Sequence, residues 1–191
     1  SRLRDALAAL DGQFDYILID CPPSLNMLTI NALTACHGVL IPIQCEYYAL
    51  EGLSALLDTI EQIHEAVNPD LVVEGLLRTM VDARNNLANE VSEQLIEHFG
   101  DKVYRTIIPR NVRLAEAPSH GLPILRYDKS SRGSVAYLAL AGEMLRRDAR
   151  QAAERRLEIV RRGPDFTPVS GNHRPTELAG RHGWVPEGIW N

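Results

Sequence analysis

The chain has 191 residues, 45% hydrophobic, 24% charged and 6% aromatic, which is the ordinary composition of a soluble domain large enough to bury a core. No run of about 18 apolar residues is present, which excludes a transmembrane helix, and Arg2, Arg4 and Asp5 interrupt what would be the apolar stretch of a signal peptide. The net charge of −5 is uneven: residues 1–145 carry eleven Lys+Arg against nineteen Asp+Glu, and residues 146–191 nine Arg against six acidic residues, so a body at −8 argues against tight charge-driven DNA binding by a lone monomer and still allows a local basic face.

In chain order, residues 2–10 have helical periodicity closed by Asp11-Gly12. Residues 15–19 (DYILI) form a short β-branched run that reads as a buried strand. A helix is expected over 25–36 with Ser24 as its N-cap. Residues 38–43 (GVLIPI) read as a second buried strand, with Pro42 marking its end. Leu50, Leu53, Leu57, Ile60, Ile63 and Val67 recur every three or four residues and predict a helix over 49–67, stopped by Asn68-Pro69. A strand over 71–79 and a helix over 86–99 follow, the helix marked by Leu87, Val91, Leu95 and Phe99. A strand over 102–108 precedes a helix over 132–147, continued to about 162 with spaced charges Arg150/Glu154 and Glu158/Arg162. Residues 163–191 are aperiodic and rich in Pro and Gly, so a flexible or docked tail is expected, with Trp184 and Trp190 as candidate anchors.

Strand and helix alternate throughout, which implies crossover connections and a doubly wound, mostly parallel sheet covered by helices. The three cysteines, Cys21, Cys36 and Cys45, have neither disulfide nor CxxC spacing and are expected to be buried free thiols. His120 has no second ligand near it in the sequence, so no metal role is assigned to it.

The strongest local signal is YILIDCPPSL, residues 16–25. Asp20 ends an apolar run and is followed at once by Cys21-Pro22-Pro23. In a parallel sheet, ligands bind beyond the C-terminal ends of the strands. A carboxylate there suits the water shell of Mg²⁺, whereas the same Asp also reads as a helix cap. The spacing leaves both open.

That segment is followed by LTINALTA (28–35), IPIQCEYYALEGL (41–53), TMVDARNNL (79–87), VYRTIIPRNVRLAEAPSHGLPI (103–124) and YDKSSRG (127–133). In order and spacing these motifs resemble the ParA/Soj family of deviant Walker A ATPases over roughly residues 1–147, as the C-terminal portion of that P-loop fold. The resemblance implies that Asp20 is the Walker B aspartate holding Mg²⁺ through water. It implies that Met80 and the Pro109-Arg110-Asn111 segment border the adenine of ATP, and that Arg84 and Arg113 contact DNA non-specifically. Glu46, Tyr47 and Glu51 would lie near the nucleotide and the dimer face. Plainer readings stand beside these: Met80 as core filling, Arg84 and Arg113 as surface arginines, and Pro118-Ser119-His120-Gly121 as a turn.

The family's Gly-rich loop ending in Gly-Lys-Thr is absent, and so is its water-orienting aspartate. Ser1 at the start and the missing loop together suggest a truncated chain, short of about one hundred residues, with an exposed sheet edge, an uncovered helix face and no ATPase activity of its own. For the whole protein the resemblance implies a cytoplasmic, nucleoid-associated ATPase. It would bind ATP and Mg²⁺, form a homodimer on ATP and coat DNA. Slow hydrolysis, stimulated by a ParB-type centromere-binding protein, would time the partitioning of a chromosome or plasmid. Two alternatives are an inactive fragment and a related ATPase that positions another cargo. The expected divisions are 1–147 for the ATPase domain, 148–162 for a charged helical extension and 163–191 for the tail, with no membrane contact.

Overall fold

A computed structural model describes residues 2–22 and 24–154 in full and the backbone of 155–162. The expected tail, its tryptophans and the side chains of the Glu158/Arg162 pair lie outside what is described. The chain divides into two units, residues 1–149 and 150–191. In the second, Arg150 donates to Glu154 at 2.8 Å, one turn along its helix.

Three parallel strands form the sheet in the order β1 (Gly38–Gln44), β2 (Val72–Val81), β3 (Val103–Pro109). Seven helices accompany them among the described residues: α1 (Arg2–Ala8), α2 (Met27–Ala35), α3 (Ala49–Ala66), α4 (Asn86–Phe99), α5 (Val112–Glu116), α6 (Ile124–Tyr127) and α7 (Arg132–Arg162). The central strand β2 is buried on both sides, as a parallel strand between helical layers must be. Leu76 packs with Leu53, Ile60 and Leu95 of α3 and α4 on one face, and its neighbour Leu77 packs with Tyr104, Ile108 and Leu140 of α7 on the other. This is the doubly wound α/β arrangement expected from the alternation of strands and helices.

The stripes read in the sequence explain α3 and α4. Leu53, Ile60 and Ile63 are buried along α3, and Ala88, Val91 and Leu95 along α4. Asn68 then locks the end of α3, since its amide donates to the carbonyls of Leu33 and Cys36 at 2.9 and 2.8 Å. Pro42 sits inside β1 rather than ending it; an edge strand tolerates a residue with no N–H.

Three further expectations are corrected. Residues 15–19 form no strand. They are irregular and largely exposed, and Leu18 is 82% exposed, because no ladder partner lies beside them among the described residues. The N-cap of α2 is Asn26, not Ser24. Its side chain accepts from the amides of Leu28 and Thr29 at 2.9 and 3.3 Å, while Ser24 supports Asn26 from behind at 3.0 Å. Of the cysteines only Cys45 is buried; Cys36 is half-buried and Cys21 exposed. Burial pushes the Cys36 and Cys45 thiols up, which keeps them protonated and inert. The 109–132 connection contains α5, a 3₁₀ turn over Ala117–His120 and α6. Gly121 closes the 3₁₀ turn at φ +64°, so the glycine in that motif has a conformational cause.

An uncovered helix face is present. Val135, Leu138 and Leu145 are exposed along α7, as are Met27 and Leu28 at the start of α2.

Candidate functional site

Because the strands are parallel, their C-terminal ends lie on one edge of the sheet. After β1, the Glu46 N–H donates to the Gln44 carbonyl at 2.8 Å and the Ala49 N–H to the Glu46 carbonyl at 3.0 Å. This tight turn projects Tyr47 and Tyr48 into solvent, edge to face at 4.9 Å between ring centroids, with Glu51 exposed in the first turn of α3.

At the end of β2, Thr79 donates to the Ile43 carbonyl at 3.3 Å, tying β2 to β1. Met80 follows with φ +54°, the only non-glycine residue with positive φ among the described residues, and its side chain is 43% exposed. A bulky residue in this backbone region is strained. Met80 is thus half-exposed at the strand end rather than part of the buried core of the described residues.

The turn after β2 is set by Asp82. Its carboxylate accepts from the Arg84 backbone at 3.1 Å and from the Arg84 guanidinium at 3.0 and 2.8 Å. Those hydrogen bonds hold the Asp82 carboxyl well below the usual carboxylate range. The Arg84 side chain is 89% exposed. Asn85 then caps α4.

At the end of β3, Pro109 stands opposite Val81, and the Arg110 N–H donates to the Val81 carbonyl at 3.0 Å. Met80 and the Pro109–Arg110 pair are therefore neighbours across two strand ends. Asn111 caps α5, its side chain accepting from the Leu114 amide at 3.3 Å. Arg113 pairs with Glu116 at 2.9 Å and with Asp128 at 3.6 Å. Glu116 also accepts from the Tyr127 hydroxyl at 3.1 Å, and His120 stacks on the Tyr127 ring at 4.8 Å. Hydrogen bonds from Arg113 and then Tyr127 hold Glu116 below its ordinary range. Asp128 gathers the Ser130 hydroxyl and the Ser130 and Ser131 amides, and Ser131 in turn caps α7. A Cβ on Gly133 would sit 2.5 Å from the Leu114 side chain, so this glycine lets α7 start against α5.

Asp20 lies exposed on the irregular segment before α2 and accepts no hydrogen bond among the described residues. The helix-cap alternative for Asp20 fails, since Asn26 caps α2. No hydrogen bond or ion pair joins Asp20 to the strand-end residues. Asp82 was not singled out from the sequence. Its signal is the Asp-Ala-Arg spacing of a turn in which a carboxylate meets a backbone N–H two residues on. Among the described residues, no group of three or more His, Cys, Asp or Glu side chains forms a metal cluster.

The family model described as an AAA domain matches residues 1–73. The sporulation initiation inhibitor protein Soj of Bacillus subtilis is 60% identical over 143 residues, 75% of this chain and 56% of that protein. The chromosome partitioning protein ParA of Myxococcus xanthus is 54% identical over 156 residues, 82% of this chain and 55% of that protein. The chain thus spans little more than half the length of these relatives. Among solved structures, cobyrinic acid a,c-diamide synthase from Mycobacterium smegmatis, with bound ATP analog and magnesium, superposes with a TM-score of 0.60 at 37% identity, covering 75% of this chain and 52% of that one. The cell division ATPase MinD of Pyrococcus furiosus gives 0.62 at 23% identity, covering 76% and 57%, and shares the fold. Over the segment that aligns with them, the chain belongs to the ParA/Soj family of P-loop ATPases.

Proposed function

We propose that this chain supplies the base-binding and DNA-facing edge of a ParA/Soj-type partitioning ATPase. The observation that carries the reading is the convergence of Met80, Arg84 and Pro109–Arg113 on the C-terminal ends of adjacent parallel strands. That edge is where open α/β sheets bind ligands.

The residues fit part of ATP·Mg²⁺. The exposed Met80 beside Pro109 offers an apolar lip for the base, with Arg110 and Asn111 next to it. Asp20 offers an unbonded carboxylate for a magnesium-held water. The phosphates find no cradle, since the sequence has only Lys102 and Lys129 as lysines and neither follows a Gly-rich loop. When bound, ATP and Mg²⁺ would supply phosphoryl-transfer chemistry. The residues of this chain would orient the base and hold the metal's water, so the 191-residue chain alone turns over no ATP.

DNA binding would come from the same edge. Residues 5–77 contain eleven acidic residues and no Lys or Arg, so apart from Arg2 and Arg4 the basic side chains begin at Arg78 in β2. Arg84 and Arg113 are exposed on that edge, each held by a carboxylate. Phosphate contacts by them would be sequence-independent and salt-sensitive. An ATP-dependent homodimer would double this small face, slow hydrolysis would time its release, and a ParB-type partner would stimulate it.

The test uses the full-length ATPase that carries this chain, with DNA binding measured against salt. Arg84→Ala or Arg113→Ala is expected to weaken binding to all sequences alike and to flatten the salt slope by about one for each phosphate interaction removed. Asp82→Asn, which frees Arg84, is expected to strengthen it. Unchanged affinity and slope in both arginine variants would return them to ordinary surface residues. Magnesium-dependent ATP turnover by the 191-residue chain itself would overturn the assignment of the phosphate site to other parts of the protein.

A further inference from the structure

The ladder between β2 and β3 is irregular. Leu76 pairs with Val103 and Arg78 with Ile107, so an advance of two residues in β2 meets an advance of four in β3. β3 therefore bulges over residues 104–106, and its backbone groups leave the ladder there. Buried backbone groups must find other partners.

They find two charged side chains. The N–H groups of Arg105 and Thr106 donate to the Glu143 carboxylate at 2.9 and 2.8 Å, and the Thr106 hydroxyl donates to it at 2.7 Å. Consecutive N–H groups in a regular strand point to opposite sides, so their convergence on one carboxylate is a property of the bulge. The Tyr104 carbonyl accepts from Arg78 at 3.0 Å. Arg78 is buried in the central strand, and its other terminal nitrogen donates to Ser92 of α4 at 2.8 Å. Glu143 is 8% exposed and is itself held by Arg147 at 3.0 Å. Arg147 also donates to the Asp101 and Val103 carbonyls, both at 2.9 Å, and lies 4.0 Å from the centre of the Tyr104 ring. Glu143 of α7 and Arg78 of β2 thus grip the bulge on its N–H and its carbonyl side, and Arg147 braces Glu143 and the residues just before the bulge.

We propose that Glu143 and Arg78 are positioning residues for the strand-end site: by holding the bulge they set where residues 107–113 meet β2. Two extra residues are absorbed before Ile107 and one is given back between Ile107 and Pro109, so β3 reaches the site one residue ahead of β2. Without these irregularities Val81 would face Ile108 instead of Pro109, a slip of one residue or about 3 Å at the usual strand rise. Pro109 would no longer face Val81, and the Arg110 N–H would lose the Val81 carbonyl. A slip of one residue would also turn Ile108 out of the core, so burial and the polar grip act together in selecting the register. What the positioned residues bind rests on the function proposed above, whereas the positioning itself is testable without nucleotide or DNA.

The experiment is amide hydrogen exchange on the 191-residue chain. Two variants are compared with the parent: Glu143→Gln, which keeps the shape and loses the charge and one acceptor, and Thr106→Val, which removes only the hydroxyl donor. Glu143→Gln is expected to speed exchange at Arg110 and Leu114 by about tenfold or more, while amides in the β1–β2 ladder change by about twofold or less. Thr106→Val is expected to give the same pattern at about threefold. Equal acceleration across β1, β2 and β3 would mean that Glu143 only stabilises the fold, and no acceleration at 107–114 would mean that the grip does not set the register. Either result overturns the proposal. Should Glu143→Gln fail to fold, Thr106→Val alone decides.

Discussion

Residues 15–20 (DYILID) and residues 103–109 (VYRTIIP) are written in similar letters, yet the first is an irregular, exposed segment and the second is β3. Both are short and rich in β-branched and aromatic residues, and both lead into residues of the candidate site. They differ in what surrounds them. β3 has β2 on one side, the Glu143 carboxylate gathering its stray N–H groups, and Leu140 of α7 under Tyr104 and Ile108. The earlier segment has no strand beside it among the described residues, and Ile17 and Leu18 face solvent. The inventory of partners for the backbone, more than the apolar letters themselves, makes a strand.

Removing a partner from one segment and an apolar side chain from the other tests that contrast most directly. Glu143→Ala leaves two strand N–H groups and the Arg147 guanidinium without their acceptor, and Arg78→Met strips the Tyr104 carbonyl and Ser92 of their donor. Each is expected to cost about 3–5 kcal/mol, the range for breaking a buried charged network from one side. Leu18→Ala, in the exposed segment, is expected to stay within about 0.5 kcal/mol. Urea unfolding of the three variants checks both figures. A Leu18→Ala loss as large as the others would mean that residues 15–20 are already part of the core.

The role of Glu143 can be resolved further through pH. Burial alone would raise its pKa, but hydrogen bonds from the Thr106 side chain, the Arg105 and Thr106 amides and Arg147 outweigh that effect and bring it down to about 2. A lowered folded pKa favours the ionised carboxylate in the native state. The resulting stability is fully present above the ordinary glutamate range and is lost as pH falls through that range toward 2. At about 1.4 kcal/mol per unit the contribution is about 3 kcal/mol at most. In Glu143→Gln that part of the acid slope should vanish, which thermal unfolding between about pH 5 and about pH 2 would read. An unchanged slope would assign the acid sensitivity to other carboxylates.

Much of the fold was legible because its signals are periodic. The stripes of α3 and α4 named their own buried faces, and the runs at 38–43, 71–79 and 102–108 became strands with ends moved by one or two residues. The strand ends then brought Met80, Pro109 and Arg110 together without further information. What was not legible depends on contacts far apart in sequence or on single-residue geometry. The bulge partner Glu143 lies 37 residues after Thr106 along the chain. The elements between 111 and 131 are too short for periodicity and are set by the caps Asn111 and Ser131 and by Gly121. Nothing in the letters around Met80 announces a positive φ. The carboxylate partners of Arg84 and Arg113 were also missed, although both lie within three residues, because charge counts do not say which way a turn aims its side chains.

The start of α2 offers a smaller test, at the border of the two kinds of segment. Asn26 accepts two amides, whereas Ser24 only supports it. Asn26→Ala is expected to cost about 1 kcal/mol and Ser24→Ala less than half of that. The reverse order would restore Ser24 as the cap.

The least change in stability is expected at the end of β2, where strain and use can be separated. Met80 holds φ at +54° in a region that glycine enters freely and side chains enter at a cost. A half-exposed thioether gains little from burial there, so the fold has no evident need of methionine at this position. Met80→Gly relieves the backbone but loosens the unfolded chain, and the two effects oppose each other. The net change is expected to be a gain of about 0.5 kcal/mol or close to zero. In the full-length protein the same substitution removes the apolar lip beside Pro109, so affinity for an adenine nucleotide should fall several-fold, while the DNA affinity proposed for Arg84 should not change. Unfolding of the chain and nucleotide titration of the full-length protein provide the two readouts. A large loss of stability with unchanged nucleotide affinity would make Met80 a structural residue after all. The opposite split would mark the strained backbone as a feature kept for the ligand, in the strand-end turn that Asp82 and Arg110 hold in place.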